Sequence, residues 1–208
     1  MNIFVTGTDT HIGKTLVSAW LCLHSGFDYF KPIQTGYLAD SDRETVQHLS
    51  DARTHPESYC FKKPVSPHLA AQLEGQTITL DKINLPSKSN LIIEGAGGLL
   101  VPLNENQLMI DLIKHLNTWV ILVARTTLGT INHTLLSIEA LRARNIPILG
   151  IILNGPADRL GNLKAIEHYG DIPVLATLPL LDNLSKVALQ NIAFPESLKT
   201  LLRNDNDI

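Results

Sequence analysis

The sequence predicts an α/β fold in which a mostly parallel sheet carries helices on both faces. Apolar runs typical of strands alternate along the chain with segments of helical periodicity. These runs are apolar throughout, which indicates strands buried on both faces. Strands of this kind, separated by helices, form a parallel sheet with right-handed crossovers. We find no repeat or linker, so the sequence predicts a single domain over residues 1–208.

Each predicted element has a local signal. The predicted strands cover residues 2–5, 27–33, 90–94, 119–124, 148–153 and 173–178. The predicted helices cover residues 16–23, 40–52, 68–74, 108–116, 130–144 and 158–168, with further helical segments toward the C-terminus. Ser25 and Gly26 end the first helix, and Ser41 or Asp42 lies near the N-cap of the second. Prolines and glycines make 55–67 and 95–98 predicted loops.

The composition is that of an ordinary globular protein, with 44% hydrophobic and 18% charged residues. A net charge of −3 gives no basic field, so we expect no nucleic-acid partner. No apolar run approaches the roughly 20 residues of a membrane span, so we expect no membrane association. The two cysteines have no metal-binding spacing and are expected to be free thiols. Because a strand starts at the N-terminus, we expect no signal peptide and a cytoplasmic location.

The first predicted strand leads through Gly13, Lys14 and Thr15 into the first helix. This is the order of a P-loop, where backbone N–H groups and a helix N-terminus hold phosphates, lysine reaches the β- and γ-phosphates, and a hydroxyl ligates Mg²⁺. The generic pattern requires its first glycine at position 8, which is Thr8, and Gly7 lies one residue early. The alternative is a strand–turn–helix corner with a solvated lysine. The position directly after a strand favours phosphate binding.

Ligands of parallel sheets bind at the carboxyl ends of the strands, so residues that follow a strand are the candidates. Glu94 ends an apolar strand, where a P-loop enzyme places its Mg²⁺ partner, although it could be a capping or surface acid. Asp42 would complete the metal shell or only cap its helix. Lys31 is either a second cation that binds the phosphates, besides Lys14, or a lysine exposed to solvent. Asn154 and Gly155 contact a base edge or form a turn.

Other catalytic patterns do not emerge from the sequence. His11, His68 and His133 are scattered and are interpreted as local hydrogen-bonding residues. There is no Ser-His-Asp order, nucleophile elbow or catalytic-cysteine context. The residues by themselves therefore predict an ATP- and Mg²⁺-dependent enzyme with a second, anionic small substrate, and they do not name that substrate.

The order of these motifs resembles that of the dethiobiotin synthetase family, and the resemblance spans most of the chain. The motifs that carry it lie at residues 4–10 with 13–15, 31–32 with 35–36, 42, 64–68, 94–98, 128–133 and the segment around 179. The altered P-loop, with Thr-Asp-Thr after the early glycine, is this family's own form. The resemblance also implies the P-loop nucleoside triphosphatase fold.

The resemblance implies a reaction in which 7,8-diaminopelargonate takes up CO₂ as a carbamate. The carbamate oxygen attacks the γ-phosphate of ATP and forms a carbamic–phosphoric anhydride. The second amine then closes the ureido ring and releases dethiobiotin and phosphate. The resemblance also implies that the protein forms a homodimer with its sites near the subunit interface. There the N-terminus of the helix that begins near Gly129 would receive the substrate carboxylate from the partner chain.

The resemblance implies roles for individual residues. Lys14, Lys31 and Thr10 would be catalytic, and Thr15, Asp42 and Glu94 would hold Mg²⁺. The diamine and its carboxylate would contact Thr10, Lys31, Thr35, Gly129, Thr130, Ile131 and Asn132. The nucleotide would contact Thr8, Asp9, His11, Ile12, Gly13, Lys14, Thr15, Leu16, Glu94, Gly95, Ala96, Gly97, Asn154, Gly155, Leu178, Pro179 and Leu180.

Two positions depart from the family pattern. His11 occupies a position where many relatives carry glutamate, and Thr35 one where some carry serine. The segment after Pro179 is the weakest match. The main rival interpretation is a regulatory or partitioning ATPase of the related deviant-Walker class, whose early signature lysine has no counterpart at positions 8–12 here. A degenerate nucleotide-binding module without turnover is the other rival, and it is disfavoured by the intact Lys14, Thr15, Asp42 and Glu94.

Overall fold

The computed structural model describes residues 1–38, 41–87, 90–157 and 161–203. The strands are β1 (Asn2–Gly7), β2 (Asp28–Phe30), β3 (Ile33–Thr35), β4 (Thr54–His55), β5 (Tyr59–Phe61), β6 (Leu91–Gly98), β7 (Trp119–Arg125), β8 (Ile148–Asn154) and β9 (Val174–Leu178). The helices are α1 (Lys14–Ser25), α2 (Asp42–Ser50), α3 (Pro67–Leu73), α4 (Met109–Leu116), α5 (Thr130–Arg142), α6 (Asn162–Gly170), α7 (Lys186–Gln190) and α8 (Glu196–Arg203). A short 3₁₀ turn covers Leu80–Lys82.

The main sheet has seven strands in the order β4-β2-β6-β1-β7-β8-β9. All of its neighbouring strands pair in parallel, and a separate small sheet pairs β3 with β5, also in parallel. The predicted parallel α/β fold is therefore confirmed. The order places β1, with the P-loop at its end, between β6 and β7.

Alternate residues of each strand enter opposite faces of the sheet, as strand geometry requires. Ile3 and Val5 of β1 pack in one apolar cluster with α1, α2, α7 and α8. Phe4, between them, packs in a second cluster with α3 and α4. A third cluster joins α5 and α6 to β7 and β8 through residues such as Leu122 and Ile151. Helices thus cover both faces, and the strands are buried on both sides as their apolar sequences predict.

Three details of the sequence prediction are wrong. The expected strand 27–33 is two strands, β2 and β3, because the chain leaves the main sheet at Lys31 and Pro32. The expected loop 55–67 contains β5. The glycine-rich stretch 95–98 continues β6, and Gly98 pairs with Gly7 of β1. A Cβ at Gly98 would lie 3.3 Å from the Gly7 carbonyl oxygen, so the glycines here allow two backbones to approach closely.

The other predicted helices and strands are present, with ends displaced by a few residues. The predicted first residues of the helices 40–52 and 158–168 lie outside the described residues. Within the described ranges, every helix is too short or too polar to cross a membrane.

Candidate functional site

The loop between β1 and α1 lies over the carboxyl ends of the central strands. The Thr8 N–H donates to the carbonyl of Val123, two residues before the end of β7, with an N···O distance of 3.0 Å. A Cβ on Gly7 would lie 2.3 Å from the Cδ1 atom of Ile12, so the early glycine lets the loop fold back on itself. His11 is exposed and has a left-handed φ of 55°. Close packing against Ile12 therefore explains why a glycine is at position 7, one residue earlier than in the generic motif.

A cleft of about 740 Å³ opens at this edge of the sheet. Its lining gathers many of the residues singled out from the sequence: Thr10, His11, Gly13, Lys14, Thr15, Lys31, Thr35, Asp42, Glu94, Ala96 and Gly97. It also includes the segment 64–67 together with Gln34, Gly36 and Val101. Residues of the loop after β1, of α1, β3, α2 and β6, together with Lys31 directly after β2, therefore meet in one pocket, as expected at the carboxyl ends of parallel strands.

A charged network lies at the base of the cleft. The ammonium group of Lys31 contacts Asp42 Oδ2 at 2.5 Å and Glu94 Oε1 at 2.9 Å. The hydroxyl of Thr15 lies 3.0 Å from Asp42 Oδ1 and 2.9 Å from Glu94 Oε1. The phenol of Tyr29 donates to the other oxygen of Glu94, Oε2, at 2.9 Å. Lys31, Tyr29 and Glu94 are all buried, so their charges and dipoles are compensated within the protein.

The ionisation of this network follows from burial and from its opposite charges. Burial alone would lower the pKa of Lys31, but Glu94 and Asp42 outweigh it and raise that pKa above its ordinary value. Burial would raise the pKa of Asp42, but the ion pair with Lys31 and the hydrogen bond from Thr15 lower it. Burial, with Glu94 next, raises the pKa of the Tyr29 phenol well above its ordinary value. Lys31 and Asp42 are therefore charged and Tyr29 is neutral.

Lys14 is 7% exposed and points back into its own loop, where its ammonium group donates to the Asp9 carbonyl at 2.9 Å. Burial lowers the pKa of Lys14 to about 8, against the opposing effect of Glu94. The loop thus holds a poorly hydrated cation next to the cleft. Such a cation has a strong electrostatic preference for an anionic ligand.

The residues proposed from sequence for the base of the nucleotide lie beside the P-loop, at the ends of β8 and β9. Asn154 pairs with Leu178 in register, and the Gly155 N–H donates to the Leu178 carbonyl at 3.0 Å. The amide of Asn154 donates to the Ile12 carbonyl at 2.9 Å. The Leu178 side chain is fully buried, so only its backbone is available at this edge, whereas Leu180 is exposed.

The residues at the N-terminus of α5 are not among the described residues that line the cleft. Gly129 has a left-handed φ of 91° and precedes the first helical residue. The hydroxyl of Thr130 is buried and donates to the Arg125 carbonyl at 2.6 Å, so it serves the strand-to-helix turn. Residues 129–132 are not among the described residues that line this cleft, and their contact with the substrate stays a prediction.

Comparison with known proteins decides the family. The family model described as an AAA domain matches residues 1–188. An ATP-dependent dethiobiotin synthetase from Lawsonia intracellularis is 49% identical over 201 residues, which cover 97% of this chain and 98% of that relative. The chain belongs to the dethiobiotin synthetase family. A second relative of the same name, from Neorickettsia sennetsu, is 42% identical and covers 98% of this chain and 96% of its own length.

Solved structures that resemble the chain include a ParA family ATPase and a plasmid partition protein. A ParA family ATPase from Chlorobium tepidum has a TM-score of 0.58 at 14% identity and covers 96% of this chain and 95% of its own. A plasmid partition protein from Borrelia burgdorferi, bound to AMPPNP, has a TM-score of 0.57 at 12% identity, with 98% and 95% covered. At these identities the likeness shows the fold alone, so it does not favour a partitioning function over the dethiobiotin synthetase family.

Three residues of this dethiobiotin synthetase family member lie next to the predicted site, but the sequence analysis did not assign them to it. They are Tyr29, which contacts Glu94; Gln34, whose amide oxygen lies 3.4 Å from the Asp42 N–H; and Arg125, which donates to the Thr10 carbonyl at 3.1 Å. Arg125 is the last residue of β7 and Gln34 lies in the three-residue strand β3, and these positions at strand ends could have identified them. Tyr29 carries no such signal, because an aromatic residue in a buried strand is ordinary core.

Gly13→Ala is expected to weaken ATP binding by at least about tenfold. Gly13 has a φ of 94°, and a Cβ there would lie 2.0 Å from the Asn154 amide nitrogen, so Asn154 would have to leave its contact with the loop. Gly26→Ala is the matched control, because Gly26 has a φ of 72° and nothing within 4 Å of its added Cβ. Calorimetric titration with ATP measures both variants. Equal affinities in the two would show that the loop does not need this glycine.

Proposed function

We propose that this protein converts 7,8-diaminopelargonate, CO₂ and ATP into dethiobiotin, ADP and phosphate. Membership of the family and the network of Lys31, Asp42, Glu94 and Thr15 beside Lys14 support the proposal. The single observation that carries it is the convergence of both lysines and both acids on one cleft that follows a P-loop. The cleft of about 740 Å³ has room for small anionic reactants in contact with those groups.

The oxygen atoms at the base of the cleft fit Mg²⁺. Thr15, Asp42 and Glu94 offer a hydroxyl and two carboxylates, the hard ligands that this ion prefers. No group of three or more acidic, histidine or cysteine side chains able to hold a metal lies in the described part of the chain. Mg²⁺ uses one or two carboxylates and takes its remaining ligands from phosphates and water. When bound, it would neutralise charge on the phosphates of ATP.

The lysines would serve the step in which the carbamate oxygen attacks the γ-phosphate. That step brings two anions together, so positive charge at their meeting point stabilises its transition state. Lys14 would leave the Asp9 carbonyl for the phosphates, because a charged partner binds an ammonium group more strongly than a carbonyl does. Lys31 would contact the carbamate with the third N–H of its ammonium group, because its two ion pairs use the other two.

The hydroxyls of Thr10 and Thr35 border the same cleft and would hydrogen-bond the carbamate or the amines. The P-loop backbone from Thr8 to Leu16 and residues 94–97 would surround the phosphates. Asn154 supports a role at the base of the nucleotide, since its side-chain oxygen is buried without a hydrogen-bond partner among the described residues. We also propose that the protein works in the cytoplasm, where its cysteines Cys22 and Cys60 stay unpaired.

We propose a homodimer in which residues 129–132 of one subunit border the cleft of the other and bind the substrate carboxylate at a helix N-terminus. Two exposed leucines support an interface here, since Leu128 is 91% and Leu136 is 55% exposed. Sedimentation velocity is expected to give a species of twice 22.9 kDa. Leu128→Asp with Leu136→Asp should shift it toward the monomer, whereas Val187→Asp, at an exposed site on α7, should not. A fully active monomer would contradict the shared site.

The reaction is tested by incubating the purified protein with ATP, Mg²⁺, bicarbonate and 7,8-diaminopelargonate. Mass spectrometry should detect dethiobiotin together with ADP, and omission of any one component should abolish the product. ATP hydrolysis that does not depend on the diamine, without dethiobiotin, would instead support the partitioning-type ATPase.

A further inference from the structure

Tyr29 is buried behind the charged network and has no assigned role. It lies in β2 opposite Ile92 of β6, and Glu94 follows two residues later on β6. Residues two apart on a strand project from the same face, so the Tyr29 ring and the Glu94 side chain share the face covered by α1. The ring is long enough to span this offset, and its hydroxyl lies 2.9 Å from Glu94 Oε2.

The two oxygens of the Glu94 carboxylate have different partners. Oε1 faces the cleft, where Thr15 and Lys31 both lie 2.9 Å away. Oε2 faces the core, where Tyr29 donates to it. Glu94 is only 1% exposed and Tyr29 is fully buried, so water has no access through which it could replace this hydrogen bond. A carboxylate bound on one oxygen cannot rotate freely about its last side-chain torsion.

We propose that Tyr29 is a positioning residue that fixes the Glu94 carboxylate so that only Oε1 faces the metal and phosphate site. Tyr29 does not itself contact the ligand space, because it is not among the described residues that line the cleft. Its effect passes through Glu94, in the manner of groups behind a metal ligand that set the ligand's orientation. This inference rests on the proposed Mg²⁺ and ATP site.

Tyr29→Phe removes the hydroxyl and keeps the ring in its core position. The Mg²⁺ concentration that gives half of the maximal thermal stabilisation of the ADP-saturated protein should rise roughly tenfold. The Mg²⁺ concentration for half-maximal turnover should rise in parallel. In a Glu94→Gln background, Tyr29→Phe should cause little further change, because the residue through which it acts is already altered.

Tyr59→Phe is the matched control. Tyr59 is also buried, and its hydroxyl accepts from the Thr79 N–H at 3.0 Å within the apolar cluster on the other face of the sheet. This variant should lose a comparable amount of heat stability, and its Mg²⁺ dependence should equal that of the wild type. The comparison separates the loss of any buried tyrosine hydroxyl from the loss of the one that contacts Glu94.

Tyr29→Phe with a wild-type Mg²⁺ dependence, whether or not its unfolding temperature falls, would overturn the inference and leave the proposed reaction intact. Equal shifts in Tyr29→Phe and Tyr59→Phe would also overturn it. If the wild-type protein shows no stabilisation by Mg²⁺ and ADP, the proposed nucleotide site fails and the positioning role fails with it.

Discussion

Lys14→Ala is expected to lower the rate of dethiobiotin formation by roughly 10³-fold. Lys14 is the buried cation of the P-loop, and the transition state of phosphoryl transfer would lose its charge partner without it. The fold should not suffer, because burial lowers the pKa of Lys14 to about 8, which means that the folded protein disfavours this charge. A coupled assay for ADP together with mass spectrometry of dethiobiotin measures the effect.

Lys82→Ala is the control for Lys14→Ala, since Lys82 is an exposed lysine in the 3₁₀ turn. It should retain the wild-type rate. Unfolding curves of both variants check that neither has lost its structure. A rate for Lys14→Ala within about threefold of the wild type would contradict the assignment of the P-loop lysine.

Lys31→Met is expected to reduce the free energy of unfolding by about 3–5 kcal/mol and to abolish activity. The substitution keeps the volume of the side chain but leaves Glu94, which is 1% exposed, without its cation. An uncompensated buried charge costs more than the ion pair itself contributes. Denaturation with urea, followed by circular dichroism, measures the change in stability.

Two further variants test whether the unpaired carboxylate of Glu94 causes this loss of stability. Lys31→Met combined with Glu94→Gln should be more stable than Lys31→Met alone, because the double variant no longer buries an unpaired carboxylate at position 94. Lys199→Met removes a surface ion pair of the same length, 2.9 Å to Glu196, and should change stability by less than about 1 kcal/mol. If the change in the free energy of unfolding of the double variant equals the sum of the changes in Lys31→Met and in Glu94→Gln, Lys31 and Glu94 do not interact energetically.

The sequence predicted those site residues that directly follow or end a predicted strand of the parallel sheet. The carboxyl ends of parallel strands share one edge, so Lys31 after β2 and Glu94, the last residue of the predicted strand 90–94, were expected close to the P-loop. The structure places Lys31 and Glu94 2.9 Å apart, although β6 continues to Gly98. The parallel sheet itself followed from strands that are apolar on both faces. These inferences depend only on periodicity and on the position of a residue within its element.

Other features depend on tertiary contacts that a sequence does not display. The glycine-rich stretch 95–98 indicated a loop by composition, yet it continues β6, where a neighbouring backbone requires the space at Gly98. The three-residue strands β3 and β5 are too short for a periodic signal. Tyr29 has the sequence context of a core residue, and only its hydrogen bond to Glu94 distinguishes it.

The central claim is that the γ-phosphate of ATP is transferred to a carbamate oxygen and not to water. It is tested most directly with ¹⁸O-labelled bicarbonate, in a short reaction that limits exchange of the label with water. If the carbamate attacks ATP, ring closure leaves one oxygen of the bound CO₂ on the released phosphate, so ¹⁸O should appear in phosphate in step with dethiobiotin. Phosphate whose fourth oxygen comes from solvent, with no ¹⁸O, would contradict the account and identify the protein as a hydrolytic ATPase.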